Sequence, residues 1–283
     1  MTATDAPFSR IGIVGLGLIG GSIALAARRA WPEITITAFD ERPPADGGSA
    51  GRTIDRTAGT IGDLDGSDLI VLAVPVAAIL TLLPALARLS RPCVITDVGS
   101  TKREVMAAAD GVGTFIGGHP MAGSERGGFV HATADLFHRR PWLLVARDAE
   151  SDSARRVERF VAGLGAVPRW MDAAAHDRAI AFVSHLPQIV SVALMNAAAG
   201  ALDETELATG GRAFEEMTRL ASSPSDMWEG ILTRNADFVA EALVAFVNGL
   251  PSGAALADAA WIRDAFDRAA AARAKAREGL PSR

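Results

Sequence analysis

Cysteine, lysine and tyrosine are nearly missing from this chain. Of its 283 residues one is cysteine, Cys93, and none is tyrosine. A single cysteine excludes an intrachain disulfide and any multi-cysteine zinc site, and it suits a reducing compartment, so a cytoplasmic location is expected. Lysine stands only at Lys102 and Lys275, and histidine only at 119, 131, 138, 176 and 185. Proton transfer therefore has few candidate groups, and a bound carboxylate would have to be held by arginine. No excess of one charge is present: the formal net charge is −5, which gives no sign of a nucleic-acid or anionic-membrane partner. The longest apolar runs, such as Leu69 to Leu80, are too short for a bilayer and are interrupted by Pro75. The first ten residues, MTATDAPFSR, lack a basic region followed by an apolar stretch, so no secretory leader is read there.

What the chain does have is apolar residues, 49% of the total, enough for one large core or two moderate ones. In the first half RIGIVG (10–15), ITITAFD (34–40), DLIVLAVP (68–75), PCVITDVG (92–99), FIGG (115–118) and WLLVAR (142–147) read as buried strands. GGSIALAARRAW and VAAILTLLPALARL carry helical spacing between them. Such alternation predicts an α/β fold, a doubly wound parallel sheet with crossover helices. From Ser151 onward the texture turns Ala-rich and helical, with AVPRWM alone resembling a strand. Two domains are expected, residues 1–150 and 151–283, the second all-α. ERPPADGGSAGR (41–52) reads as a polar loop.

GIVGLGLIGGS places Gly15, Gly17 and Gly20 as G-x-G-x-x-G directly after one predicted strand and at the start of a predicted helix. That context asks for a tight turn at Gly15, close approach of a pyrophosphate at Gly17 and helix-on-strand packing at Gly20, with Leu18 and Ile19 in the step onto the helix. Asp40 ends the next strand, twenty residues beyond Gly20. A carboxylate there accepts hydrogen bonds from ribose hydroxyls and repels a 2′-phosphate, so NAD is favoured over NADP, tempered by Arg42. Val74 and Pro75, and then Ser100, Thr101 and Lys102, fall beyond the carboxyl ends of later strands, where such folds bind ligands. On these residues alone Ser100 reads equally well as a helix cap, with Glu104 completing a capping box.

GGHPMAGSERGG (117–128) follows one strand later. Gly117 and Gly118 are expected to let a ligand approach, and Pro120 to fix the backbone after His119. A histidine at a sheet's carboxyl edge beside a nicotinamide is placed to take a proton from a substrate hydroxyl. A metal role is disfavoured by the lone cysteine and scattered histidines.

GIVGLGLIGGSIA, TDVGSTK, GGHPMAGSERGG, HDRAIAFVSHLPQ and FEEMTRLASSPSDMW occur in the order and approximate spacing of the prephenate and arogenate dehydrogenases, the TyrA family, which the chain resembles from about residue 10 to 240. The resemblance implies a Rossmann domain followed by a helical domain that forms an intertwined homodimer, and NAD-dependent oxidative decarboxylation of prephenate in tyrosine biosynthesis, with arogenate or a C4-amino analogue as alternative substrate. It implies that His119 deprotonates the C4 hydroxyl, that Ser100 orients it, and that Arg219 holds a substrate carboxylate. Ser184 and His185 would line the pocket and Glu125 would stand at its mouth. Where many members continue SHLP with a second histidine, this chain has Gln188, a neutral amide expected against the substrate side chain. Arg212, in TGGRAFEEMTR, adds a cation that could help hold a carboxylate. Without the resemblance Arg219 reads as a helix ion-pair partner of Glu215 or Glu216, His185 as a packing residue, and His176 with Asp177 as a helix start. His131 and His138 read as surface residues. Two other readings share parts of this pattern. Hydroxyacid dehydrogenases usually use a lysine in the second domain, and none precedes Lys275 here; an NAD-sensing protein would need neither His119 nor Arg219.

Overall fold

The computed structural model describes residues 5–42, 53–123 and 127–278. Most of the loop at 41–52 and all of Glu125 lie outside them. Eight strands form one sheet in the order β3-β2-β1-β4-β5-β6-β7-β8. These are β1 (Arg10–Val14), β2 (Thr35–Phe39), β3 (Arg56–Thr57), β4 (Leu69–Leu72), β5 (Val94–Asp97), β6 (Thr114–Pro120), β7 (Pro141–Val145) and β8 (Val167–Trp170). The pairings through β6 are parallel, as the alternating sequence demands, but β7 runs antiparallel to β6 and β8 then follows β7 in parallel.

Alternation along each strand feeds two apolar layers. Ile11, Ile13, Leu69 and Val71 face a layer shared with α1 (Leu18–Ala30) and α4 (Asp152–Gly163). Val14, Ile70, Leu72 and Ile95 face the opposite layer, covered by α2 (Val76–Leu86) and α3 (Arg103–Ala108). Ile11, Ile13, Leu69 and Ile70 are wholly buried, each contributing roughly 1.5–3 kcal/mol. The helix α4 starts where Ser151 accepts a hydrogen bond from Ala154 N, and its Phe160 stacks on Trp31 with ring centroids 5.5 Å apart. The division expected at residue 150 thus falls inside this layer. Val157 and Phe160 belong to the sheet's core, and β8 is its last strand, so the sheet unit continues through Trp170.

Beyond β8 the chain is helical. A continuous helix from Ala173 to Ala201 comprises α5 (Ala173–Ile180), a wider π turn (Ala181–His185) and α6 (Leu186–Ala201). Pro187 has no N–H to offer the carbonyl of Val183, a reason for the ladder to widen just before it. Then come α7 (Glu204–Leu207), α8 (Arg212–Thr218), a 3-10 turn (Arg219–Ser222), α9 (Ser225–Arg234), α10 (Ala236–Asn248) and α11 (Ala259–Glu278). The helix from Ala173 to Ala201 has a window of mean hydropathy 1.4 and is long and apolar enough to cross a membrane by length and composition, unlike the shorter run near Leu69. Its N-terminal polar residues His176 and Asp177 are instead buried against the sheet unit.

Candidate active site

The reversal of strand order between β1 and β4 opens a crevice at their carboxyl ends. At its floor Gly15 has φ of +94°, and a Cβ there would stand 2.5 Å from the carbonyl oxygen of Ala73. A Cβ on Gly20 would lie 1.9 Å from the oxygen of Gly15, so α1 packs on the turn backbone to backbone. A Cβ on Gly17 would meet nothing within 4 Å and would point into open space. Gly17 caps α1 without a side-chain acceptor, which leaves the helix's first N–H groups for an anion. Asp40 is half-buried and oriented by two backbone donors, Leu16 N at 2.6 Å and Arg42 N at 2.7 Å. Gly15, Gly17, Asp40, Arg42, Val74 and Pro75 line a cleft of about 460 Å³. These residues fit a dinucleotide. Leu18 is buried, and Ile19 is half-buried against the core.

Strand β6 extends to Pro120, so His119 stands on the strand, registered opposite Leu143 of β7, and not in the turn after it. Its Nδ1 lies 3.0 Å from Nε2 of His176, and Nδ1 of His176 lies 2.8 Å from the carboxylate of Asp177. Asp177 is also the cap of α3: it accepts from Lys102 N at 2.7 Å and from Arg103 N at 2.9 Å. Arg103 adds its own Nε at 3.2 Å, reaches Asp237 through both terminal nitrogens at 2.7 and 2.5 Å, and lies over the Phe238 ring. Asn235, wholly buried, donates to the Asp177 carbonyl at 2.8 Å. Residues of α3, α5 and α10 are thereby tied to the strand that carries His119.

Electrostatics keep the imidazoles neutral. Burial, followed by repulsion from His176, Lys102 and His185, holds the pKa of His119 well below the ordinary imidazole value. Burial likewise lowers His176, against the hydrogen bond to Asp177 that raises it. Burial opposes ionisation of Asp177, but His176 and the N–H groups of Arg103 and Lys102 outweigh it and the carboxyl stays below its usual range. Burial pushes His185 down to about 4.

Several residues stand elsewhere than expected. Lys102 and Thr101 do not face a ligand. Both are buried, and Lys102 forms an ion pair with the equally buried Asp97. Gly117 and Gly118 admit that pair and its neighbours, not a ligand: Cβ atoms there would meet Met106 Sδ at 2.9 Å and the Asp97 carbonyl at 2.5 Å. Ser100 does not cap α3, whose N-terminal donors go to Asp177, and the hydrogen bond of His119 goes to His176 and not to Ser100. Glu104, expected in a capping box, lies 3.0 Å from Arg234. His185 is enclosed, its Nδ1 3.2 Å from Asn235 Nδ2 and its ring edge-on to Trp228, which is the packing role. Gln188 is spent on protein: its amide donates to Leu220 O at 2.7 Å and accepts from Ser223 at 3.4 Å. Those bonds fix the 3-10 turn carrying Arg219, whose residue is exposed. Arg212 is exposed and pairs with Glu216 at 2.8 Å on its own helix. Ser184 is half-buried in the π turn, and His131 and His138 are exposed. Reading the sequence missed His176, Asp177, Arg103 and Asn235; a His-Asp pair opening the longest helix, in a chain with five histidines, was the one available signal. Among the described residues no group of three or more His, Cys, Asp or Glu is arranged to hold a metal ion.

Comparison with known proteins matches residues 23–168 to the model of the prephenate dehydrogenase nucleotide-binding domain and residues 172–257 to that of the prephenate dehydrogenase dimerization domain. The chain belongs to the prephenate dehydrogenase family. Within that family it is 34% identical to the prephenate dehydrogenase of Lactococcus lactis subsp. cremoris over 84% of this chain and 68% of that one. It is similar to the crystal structure of the A. aeolicus prephenate dehydrogenase in complex with hydroxyphenyl propionate and NAD+, with TM-score 0.84 and 25% identity over 95% of this chain and 98% of that one. The Synechocystis arogenate dehydrogenase superposes with TM-score 0.74 at 28% identity, covering 84% and 88% of the two chains. Membership of the prephenate dehydrogenase family makes the chain a nucleotide-binding oxidoreductase whose helical unit is a dimerisation domain.

Proposed function

We propose that this chain is an NAD-dependent prephenate dehydrogenase that converts prephenate to 4-hydroxyphenylpyruvate and CO2 in tyrosine biosynthesis. The observation that carries this reading is a neutral imidazole, His119, hydrogen-bonded at the carboxyl edge of a sheet whose crevice is shaped for a dinucleotide. Gly15, Gly17 and Gly20 would hold the pyrophosphate at the start of α1, Asp40 the adenosine ribose, and Val74 and Pro75 the wall of the cleft. A bound oxidised nicotinamide supplies the acceptor for the hydride that leaves C4. His119 takes the proton of the C4 hydroxyl, so that carbon becomes a carbonyl. The electron pair of the C1–carboxylate bond then enters the ring, CO2 leaves, and the C4 oxygen regains a proton as the ring becomes aromatic. Arg219 would hold a substrate carboxylate with a guanidinium's paired donors, and Ser184 would line the pocket. The apolar sides of the helix from Ala173 to Ala201, only partly covered within one chain, would be covered in a homodimer.

A family relative that carries the name arogenate dehydrogenase makes arogenate the second reading. The deciding experiment follows NADH and NADPH formation with prephenate, arogenate and their C4-amino analogues. Prephenate with NAD should give the highest kcat/KM; a preference for arogenate would move the assignment there, and no turnover of any would reject it. His119→Asn should lower kcat by about 10²–10⁴-fold with the Kd for NAD unchanged.

A further inference from the structure

We propose that His176 is a positioning residue that fixes the tautomer of His119, with Asp177 fixing that of His176 in turn. This rests on the reading of His119 as the base, and the test separates the two. The argument is one of donors and acceptors. Asp177 as a carboxylate can only accept, so at 2.8 Å the Nδ1 of His176 must donate. Neutral His176 then has only a lone pair at Nε2. At 3.0 Å the Nδ1 of His119 must therefore be the N–H, which leaves Nε2 of His119 as the acceptor for a substrate proton. The chain has no slack at its far end. Asp177 is clamped by Lys102 N, Arg103 N and Arg103 Nε, and its backbone carbonyl is held by Asn235. Three of those clamps come from the start of α3 in the sheet unit, whereas His176 and Asp177 belong to the helical unit. The tautomer that makes His119 a base is thus set by the helical unit docking on the sheet. After proton transfer His119 keeps its bond to His176, and the carboxylate lies one ring further along to balance the new charge.

Two substitutions at His176 separate positioning from bulk. In His176→Asn the amide sits where Nδ1 stood and can still donate to Asp177, but nothing replaces the Nε2 acceptor. In His176→Gln the amide reaches the Nε2 position, and its oxygen can accept from His119. With five histidines, long-range ¹⁵N–¹H spectra of ¹⁵N-histidine protein are tractable, and loss of a signal in His119→Asn assigns that ring. The wild-type His119 should be the Nδ1–H tautomer. His176→Gln should retain it, with kcat within about 10-fold of wild type, whereas His176→Asn should mix the tautomers and lower kcat about 10²-fold at nearly unchanged KM and NAD affinity. Wild-type His119 found as the Nε2–H form overturns the proposal. So does His176→Asn that keeps both tautomer and kcat. Should no candidate substrate turn over, the functional reading fails while the spectra still decide the tautomer; should His176→Asn not fold, the wild-type and His176→Gln spectra decide it.

Discussion

The two ends of the crevice are built by opposite means. At the nucleotide end the glycine turn and Asp40 lie within 26 residues of sequence, and the geometry of the turn is made by missing side chains: a positive φ at Gly15, a backbone contact at Gly20, open space at Gly17. At the His119 end the geometry is made by charged and polar side chains that find partners across 57, 75 and 134 residues of sequence, as in His119 with His176, Asp177 with the backbone N–H of Lys102, and Arg103 with Asp237. The first kind of site can form once its own strand and helix pack. The second exists only when the helical unit is seated on the sheet, so its stability and its chemistry are the same set of hydrogen bonds.

That contrast is broken most directly at Asp177. Asp177→Ala leaves the first N–H groups of α3, the Nδ1–H of His176 and one arm of Arg103 without an acceptor in a buried place. A loss of about 3–5 kcal/mol in urea unfolding is expected, with activity lost as well. A loss under about 1 kcal/mol would mean that the junction is held elsewhere. At the other end the glycines should divide. Gly20→Ala puts a Cβ 1.9 Å from a backbone oxygen, so about 1–3 kcal/mol of stability should go, and NAD affinity with it. Gly17→Ala meets nothing, so unfolding should shift by no more than about 0.5 kcal/mol. Its Kd for NAD should nonetheless rise about 10-fold or more if the pyrophosphate passes that atom. Calorimetric titration and denaturation on both variants give the answer, and equal loss of affinity and stability in Gly17→Ala would undo the distinction.

The same contrast explains what reading the sequence could reach. Alternating apolar runs and the glycine spacing are local signals, and β1 and α1 stand where they predict a strand and a helix. His119 stands out in the sequence because its neighbours are unusual. His176 does not, since HDRAI reads as the opening of a helix and lies in the first turns of one that begins at Ala173, and nothing in that string says that the Asp177 carboxylate leaves its own helix to cap α3. Gly117 and Gly118 were misread for the same reason: a glycine that admits a ligand and one that admits the Lys102–Asp97 pair are identical in sequence. Gln188 was assigned to the substrate because it replaces a titratable residue, but its amide geometry suits the carbonyl of Leu220. The β6–β7 reversal left no mark in the strand patterns, because both partners are buried on both faces either way.

Smaller effects follow from the neutral histidines. A base whose folded pKa lies well below 6.5 is active unprotonated, so kcat/KM should stay level from pH 8 down to about 6.5 and fall only below it. Stability should move with it. His185 has its ordinary pKa near 6.5 when unfolded and about 4 when folded, so the unfolded state binds the extra proton between those values. Its contribution is fully present above pH 6.5 and is lost toward pH 4, at up to roughly 1.4 kcal/mol per pH step. Urea midpoints from pH 8 to 4 measure this, and a flat profile would show that the three imidazoles are not held neutral by burial.

The weakest effect tests the helical unit away from the junction. Arg212 is bound to Glu216 one helical turn on, with side chains 89% and 64% exposed. Such a pair is screened by water, and Arg212→Ala should change stability by less than about 0.5 kcal/mol. Within one chain it should leave the KM for prephenate unchanged, because among the described residues its ion pair runs to Glu216 and not to the His119 network. A KM that rose at constant kcat would bring Arg212 to a site from a second copy of the chain. The helical unit would then serve the crevice from both sides of a dimer, and the contrast between a local and a long-range end would extend beyond a single chain.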